Sequence, residues 1–285
     1  MDPQSTPLTD QLANISPVII VAVILGCTLV RLFLAKIKDP WARTVSETCD
    51  TVNFVLALAF LLIRPFVAQA FYIPSESMEN TLLTKDRLIV NKFQYRFQEP
   101  QRGNVVVFAA PPEATGGPEQ DFIKRLIGMP GETIEVHAAR LKIDGEEINP
   151  QVQGFESVHG YLKQRMGLSP MADSLKLFSD HILVNAKESL DMKQLAAKIG
   201  QPEAKIELIP GQTLINDKPL EEPYTREDPG YDMDARQIPA GQYYMLGDNR
   251  NFSRDSHFWK GLEKNRVIGH AVFVFWPPAR IGVIR

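Results

Sequence analysis

Two serines are the residues in this sequence whose position first suggests nucleophilic chemistry. The stretch FYIPSESMENTLL, residues 71–83, places Ser75 and Ser77 directly after a hydrophobic run. A serine hydroxyl is a weak nucleophile until a base removes its proton, and no histidine is near Ser77 in the sequence. The stretch therefore indicates either a serine-rich turn or a nucleophile whose base comes from elsewhere in the chain.

Lys124, in the segment DFIKRLI (121–127), is the candidate base. The composition of this segment favours a strand, and alternate residues of a strand share a face, so Phe122 and Leu126 flank Lys124. Lysine in water has a pKa near ~10.4, and burial can lower that value by up to about 3–5 units. The segment allows a neutral amine near pH 7, or an ordinary solvent-facing lysine.

A third polar segment, YMLGDNRNFSRDSHFWKG (244–261), follows a predicted strand. Gly247 to Asn249 form a strong turn signal. Ser253 and Asp255 follow in a polar loop, where a hydroxyl and a carboxylate could orient neighbouring groups. The alternative interpretation is a surface loop with Asx-turns.

The N-terminal part, residues 1–73, contains two hydrophobic runs that would hold these residues at a membrane. The first, 15–35, has Arg31 as its only charge and has about the 20 residues that cross a bilayer. The tail before it has no lysine or arginine, which predicts a retained anchor and not a cleavable signal peptide. The second span is predicted at about 45–66, with a buried or interfacial helix as the alternative.

The basic residues between the two runs predict the orientation of the chain. Lys36, Lys38 and Arg43 lie in this loop, and the positive-inside rule places such a loop in the cytoplasm. If both runs cross the membrane, everything after residue 73 lies on the outer face.

Residues 74–285 are predicted to form a mainly β domain with antiparallel strands. Short runs rich in β-branched and aromatic residues alternate with turn residues, and Asp144-Gly145 and the stretch 213–220 indicate hairpins. The predicted strands are 87–93, 104–110, 121–127, 133–137, 242–246 and 270–276. The more polar stretch 151–210, with one helical pattern before Gly200, is predicted to be an inserted cap subdomain.

Composition argues against several classes of function. The 285 residues carry 31 basic and 34 acidic side chains, a net charge of −3, with no basic run dense enough to indicate nucleic-acid binding. Five scattered histidines and two cysteines, both before residue 50, form no metal-ligand pattern. We expect no metal and no cofactor.

Taken together, the three segments resemble the bacterial type I signal peptidases, which are membrane-anchored serine proteases with a Ser/Lys dyad. Four sequence boxes of that family occur in the family's order. The matches are Ile73, Pro74, Ser75, Ser77, Met78, Thr81 and Leu82; Arg102, Gly103 and Val105 to Phe108; Ile123, Lys124, Arg125, Gly128, Pro130 and Gly131; and Gly247 to Arg250, Ser253, Asp255 and Ser256. The departures are Asn80 for proline, Asn104 and Glu132 for aspartate, and His257 for arginine.

The resemblance implies a role for each site residue. Ser77 would be the nucleophile and Lys124 the general base, with the Ser77 N–H and the Ser75 hydroxyl as the oxyanion hole. Ser253 would hold the Lys124 amine in line, and Asp255 would support that loop. Arg125, Asp248, Asn249 and Arg250 would be scaffold residues.

The resemblance also implies substrates and a location. The substrates would be secretory preproteins, cut after small residues in an A-x-A-like pattern at the bilayer surface. The enzyme would be a multi-pass protein of the inner (plasma) membrane with its catalytic domain on the periplasmic side, coupled to the protein-export machinery.

Two other functions are compatible with parts of the sequence. A self-cleaving repressor of the SOS response shares the dyad chemistry, but it is soluble and needs an Ala-Gly cleavage site upstream. A catalytically silent binding protein on the same fold is the second alternative. Such relatives usually lose a dyad residue, whereas Ser77 and Lys124 are both present.

Overall fold

The N-terminal part of the chain forms a pair of packed helices. The structure, a computed structural model, describes residues 17–37, 39–59 and 68–285. Helix α1 spans Pro17–Leu34 and α2 spans Pro40–Ala57. Asn53 Nδ2 of α2 donates to Thr28 Oγ1 of α1 at 3.2 Å, and Arg31 pairs with Asp50 at 3.1 Å.

The predicted membrane spans, 15–35 and 45–66, both extend outside the described residues. Within the described ranges, no helix combines the length and the apolar character that crossing a membrane requires.

The body after residue 68 is mainly antiparallel β structure, as predicted. Its strands are, in chain order, β1 Ala68–Tyr72, β2 Arg87–Asn91, β3 Val105–Ala109, β4 Asp121–Gly128, β5 Thr133–His137, β6 Arg140–Ile143, β7 Glu146–Glu147, β8 Leu175–Leu177, β9 His181–Val184, β10 Glu188–Asp191, β11 Ile206–Ile209, β12 Gln212–Ile215, β13 Lys218–Pro219, β14 Met233–Gln237, β15 Gln242–Leu246, β16 Leu262–Glu263, β17 Val267–Trp276 and β18 Gly282–Val283. Its short helices are α3 Pro112–Thr115, α4 Val158–Arg165, α5 Met192–Lys198 and α6 Ser256–Trp259. All six predicted strands are present, to within a few residues at their ends.

The largest sheet in the described part of the chain carries Lys124 on β4, and the turn with Ser77 follows its edge strand β1. Its strand order is β1-β2-β17-β3-β4-β15-β16, with β18 paired to β17. Strand β3 reads VVVFA and is buried on both faces: Val105 and Val107 belong to one apolar cluster, and Val106 and Phe108 to another. This two-sided burial explains why β3 is continuously apolar. The strand beside it, β4, is held between β3 and β15, and a one-residue shift of its register would move Lys124 and Arg125 to each other's faces.

Both predicted hairpins are present. Strands β6 and β7 are joined by Asp144-Gly145, and both turn residues have positive φ, 53° and 86°. Strands β12 and β13 are joined by Asn216-Asp217, with φ of 51° and 62°. Two-residue turns of this kind match the twist of the strands they connect.

Residues 151–210 pack around a hydrophobic core that is separate from the main sheet. It contains side chains such as Leu162 of α4, Leu175 of β8 and Leu195 of α5, and it also includes Leu141 from β6, before residue 151. A capping box between Asp191 and Gln194 starts α5, and Gly200 with a φ of 82° follows its end.

Candidate active site

Ser77 lies in a tight turn that leaves the end of β1. Ile73, just before this turn, donates its N–H to Asp86 O at 2.9 Å and accepts from Lys85 N at 2.8 Å. Met78 and Leu82 are fully buried and anchor the turn in the core. The apolar residues of the segment therefore fix the backbone, and the serines between them are placed by it.

Lys124 projects from β4 directly onto Ser77. Its Nζ lies 2.6 Å from Ser77 Oγ and 3.0 Å from Ile123 O, and its side chain passes beside the Phe122 ring. The residue is only 4% exposed, so it is not the solvent-facing lysine that the segment alone also allowed. Burial lowers the pKa of Lys124 to about 8, against the Asp255 and Asp248 carboxylates, which act to raise it. A useful fraction of the amine is therefore neutral near neutral pH.

Ser75 shares the space in front of the nucleophile. Its Oγ lies 3.3 Å from Ser77 Oγ, and the residue is exposed. A hydroxyl in this position can reach the oxygen of a carbonyl group that Ser77 attacks.

Asp255 shapes the loop that covers Lys124. This residue is completely buried, and its Oδ2 accepts the Gly247 N–H at 2.8 Å. Gly247 passes so close to the nucleophile that a Cβ there would lie 2.4 Å from Ser77 O. The carboxylate thus holds the loop against the backbone of Ser77.

The structure brings Ser253 beside the dyad but gives its hydroxyl no partner. Ser253 is 5% exposed, and a Cβ on Gly247 would lie 2.3 Å from its Oγ. Ser253 Oγ is among the buried side-chain atoms without a hydrogen bond, and the bonds of Lys124 Nζ go to Ser77 and Ile123. Its role toward Lys124 stays a prediction.

A buried ion pair braces the other side of the turn. Arg125, next to Lys124 but on the opposite face of β4, binds Asp248 through Nε at 2.8 Å and through a terminal nitrogen at 2.7 Å. Asp248 also accepts from Thr81 Oγ1 at 2.5 Å. This bidentate pair links β4, the nucleophile turn and the loop after β15.

Sequence reasoning missed several contacts that hold the nucleophile turn. Asn249 donates its N–H to Ser77 O at 3.1 Å. Asn80, with a φ of 91°, donates from Nδ2 to Tyr224 O at 3.0 Å. Arg226 binds Glu79 and two carbonyls of the loop before β8. The residues around Tyr224 carry no local pattern that could have pointed to this role.

The arrangement is suited to acyl transfer. A hydroxyl beside a buried neutral amine can attack a carbonyl carbon and pass its proton to the amine. The part of the chain that the structure describes holds no group of three or more metal-ligating side chains.

Comparison with known proteins agrees with this geometry. The family model for signal peptidases, peptidase S26, matches residues 47–276. Signal peptidase I of Leptolyngbya laminosa is 34% identical, over 83% of this chain and 82% of that protein. The probable signal peptidase I-1 of Synechocystis is 32% identical, over 87% of this chain and 90% of that protein.

One solved structure adds little to the comparison. A signal peptidase I from Enterococcus faecalis V583 covers 61% of this chain and 97% of its own length, at 21% identity and with a TM-score of 0.24. The superposition is poor, whereas the sequence matches are extensive. The chain belongs to the signal peptidase family, peptidase S26.

Proposed function

We infer that this protein is a serine endopeptidase that removes signal peptides from preproteins. The observation that carries the inference is the 2.6 Å contact between Lys124 Nζ and Ser77 Oγ, made by a buried lysine. Membership of the signal peptidase family supports the same activity.

The dyad performs the reaction in two halves. Ser77 Oγ attacks the scissile carbonyl carbon while its proton passes to the neutral Lys124 amine. The tetrahedral intermediate then expels the amine of the mature protein, which takes that proton from Lys124. Water attacks the resulting ester while Lys124 accepts a proton from the water. Lys124 then passes this proton to Ser77 Oγ as the ester bond breaks and the signal peptide leaves.

The oxyanion of each intermediate is stabilised by the Ser77 N–H and the Ser75 hydroxyl. The short Ser75–Ser77 separation supports this assignment. Losing one such donor typically lowers the rate about 10²–10³-fold. Ser253 and Asp255 are supporting residues. Ser253 orients the Lys124 amine, and Asp255 holds the loop that carries Ser253.

The substrates are secretory preproteins that end their signal peptides in small residues, the A-x-A-like pattern. The nucleophile turn begins five residues after the start of β1 and a short distance from the second hydrophobic run. The scissile bond of a membrane-bound precursor would lie at the same distance from the bilayer as Ser77.

We further propose that the N-terminal part anchors the enzyme in the inner membrane. Spans at about 15–35 and 45–66 would place the catalytic domain, residues 74–285, on the periplasmic face, where precursors arrive from the export machinery. The apolar side chains of α1 support this: Leu29 and Phe33 are 66% and 77% exposed. Burial in lipid would remove that surface from water.

Cleavage of a precursor with an A-x-A signal peptide tests the function. The detergent-solubilised wild type would be compared with Ser77→Ala and Lys124→Ala, and with Ser179→Ala as a control, because Ser179 is exposed in the insertion. We expect wild type and control to release mature protein and both dyad variants to fail.

The outcomes separate the alternatives. Inactivity of all four proteins would favour a silent binding protein and refute the proposed activity. Full activity of Lys124→Ala would refute the choice of base.

A further inference from the structure

His257 contacts a carboxylate that the catalytic loop depends on. Its Nδ1 lies 2.6 Å from Asp255 Oδ1, and its side chain is 15% exposed. The ring stacks on Tyr231 with centroids 4.4 Å apart and planes at 17°. The stack and the contact together hold the imidazole in one orientation.

We propose that His257 is a positioning residue which, through Asp255, controls how much of Lys124 is available as the free amine. The inference deepens the proposed function and rests on it. His257 does not touch the reacting atoms, so any effect it has must pass through Asp255.

Asp255 transmits both position and charge. One of its oxygens accepts from Gly247, where an added Cβ would lie 2.4 Å from Ser77 O, and the other contacts His257. The carboxylate charge acts on Lys124 to raise its pKa, against the larger effect of burial. A positive imidazolium beside Asp255 offsets that charge and favours the free amine. A neutral imidazole leaves the carboxylate unopposed and favours the ammonium.

Two other charged residues of the same loop are held in buried ion pairs. Arg250 is buried and paired with Glu222, and Asp248 is paired with Arg125. Burial raises the pKa of Tyr231 and of Tyr244 above the usual range, so both stay neutral.

The inserted region contains a pair that serves as a matched control. His181 Nδ1 lies 2.7 Å from Asp180 Oδ1, and its ring stacks on Phe178 with centroids 4.4 Å apart. Asp180 is 82% exposed by its side chain, whereas Asp255 is fully buried. Both histidines therefore combine a carboxylate contact with an aromatic stack, whereas only Asp255 acts on Lys124.

The pH dependence of kcat/KM for precursor cleavage tests the proposal with wild type, His257→Arg, His257→Gln and His181→Gln. The acid limb reports the essential base of the free enzyme. Arginine keeps a positive charge beside Asp255, whereas glutamine has none. The midpoint of the acid limb should therefore lie at least about half a pH unit higher in His257→Gln than in His257→Arg. That shift corresponds to about a three-fold difference in rate below the limb. His181→Gln should superimpose on wild type.

A direct titration of Lys124 separates this proposal from the proposed function. In full-length protein labelled with ¹³Cε-lysine, the Lys124 signal is assigned by its loss in Lys124→Ala. Its midpoint should be lower in His257→Arg than in His257→Gln, whether or not a precursor is cut. Equal midpoints, or the reverse order, would overturn the proposal. If thermal melts show that His257→Gln does not fold, the Lys124 midpoint must still be lower in His257→Arg than in wild type, because arginine keeps its positive charge throughout the titration. Equal midpoints in these two proteins would overturn the proposal too.

Discussion

Replacing Gly247 by alanine tests whether the backbone after β15 sets the position of the nucleophile. An added Cβ would lie 2.3 Å from Ser253 Oγ and 2.4 Å from Ser77 O, against ordinary contacts of 3.4–4 Å. Rotation of the Ser253 side chain would move its Oγ but not its Cβ, which would also lie only 2.5 Å from the added atom. The Ser77 carbonyl cannot move aside, because it accepts the Asn249 N–H and belongs to the nucleophile itself.

The clash with Ser77 O therefore has to be relieved by backbone movement of about 1 Å. A misplacement of ~1 Å in a catalytic constellation can lower the rate about 10²-fold. Overpacking of a buried site also typically costs about 1–3 kcal/mol of folding free energy. We expect kcat to fall about 10²-fold, with a smaller change in KM, because the reacting atoms move more than the substrate-binding surface.

The assay is steady-state cleavage of the A-x-A precursor, with thermal melts of each variant to separate misplacement from unfolding. Gly117→Ala is the matched control, since a Cβ at Gly117 meets nothing within 4 Å. A folded Gly247→Ala variant that cleaves as fast as wild type would refute the reasoning.

Three further predictions concern the same turn. The cleavage rate of wild type should rise with pH through about 8, because below this pKa Lys124 is mostly protonated and cannot act as a base. A rate that is flat from pH 6 to 9 would contradict this. Asp248→Asn should cost about 3–5 kcal/mol in denaturant unfolding, since it leaves the Arg125 charge buried and poorly compensated; a loss close to zero would mean that water reaches the guanidinium. Asn80→Pro should lower the melting temperature and cost more than ~1 kcal/mol, because proline cannot adopt a φ of 91°. Asn80→Gly can adopt this φ and should lose only the hydrogen bond to Tyr224 O, so it should be less destabilised than the proline variant.

The local parts of the fold were predictable because they depend on neighbouring residues. The β-branched run at β3 and the Asp144-Gly145 turn gave the correct elements. The strands β8 to β11 were not predicted, since each has only three or four residues and is stabilised by pairing and burial that no short pattern records. Helix α4 was missed for a similar reason: its sequence, VHGYLKQR, shows little amphipathic pattern.

The site was predictable only as far as its residues match a known family. From its own segment, Lys124 could have faced water, because the neighbouring Arg125 is equally polar and the two lie on opposite faces of one strand. Both faces prove to be buried. The partners that compensate for burying these two cations are distant in sequence: Asp248 forms an ion pair with Arg125, and Ser77 Oγ accepts a hydrogen bond from Lys124. The contact of Asn80 with Tyr224 spans 144 residues, and periodicity carries no information over such a distance.

The segment 138–211, which contains the inserted region, leaves and re-enters the four-stranded sheet β13-β12-β5-β14 at one point. Gln212 at the start of β12 is paired directly with His137 at the end of β5, so the chain departs and returns across a single rung of the ladder. The segment 138–211 could therefore be shortened to a tight reverse turn without breaking a strand of that sheet. Leu141 of β6 would leave with its own core, which a cut at residue 151 would divide. For protein engineering, the exchangeable module is thus longer than its polar composition suggests, and its natural boundaries are the two residues of that rung.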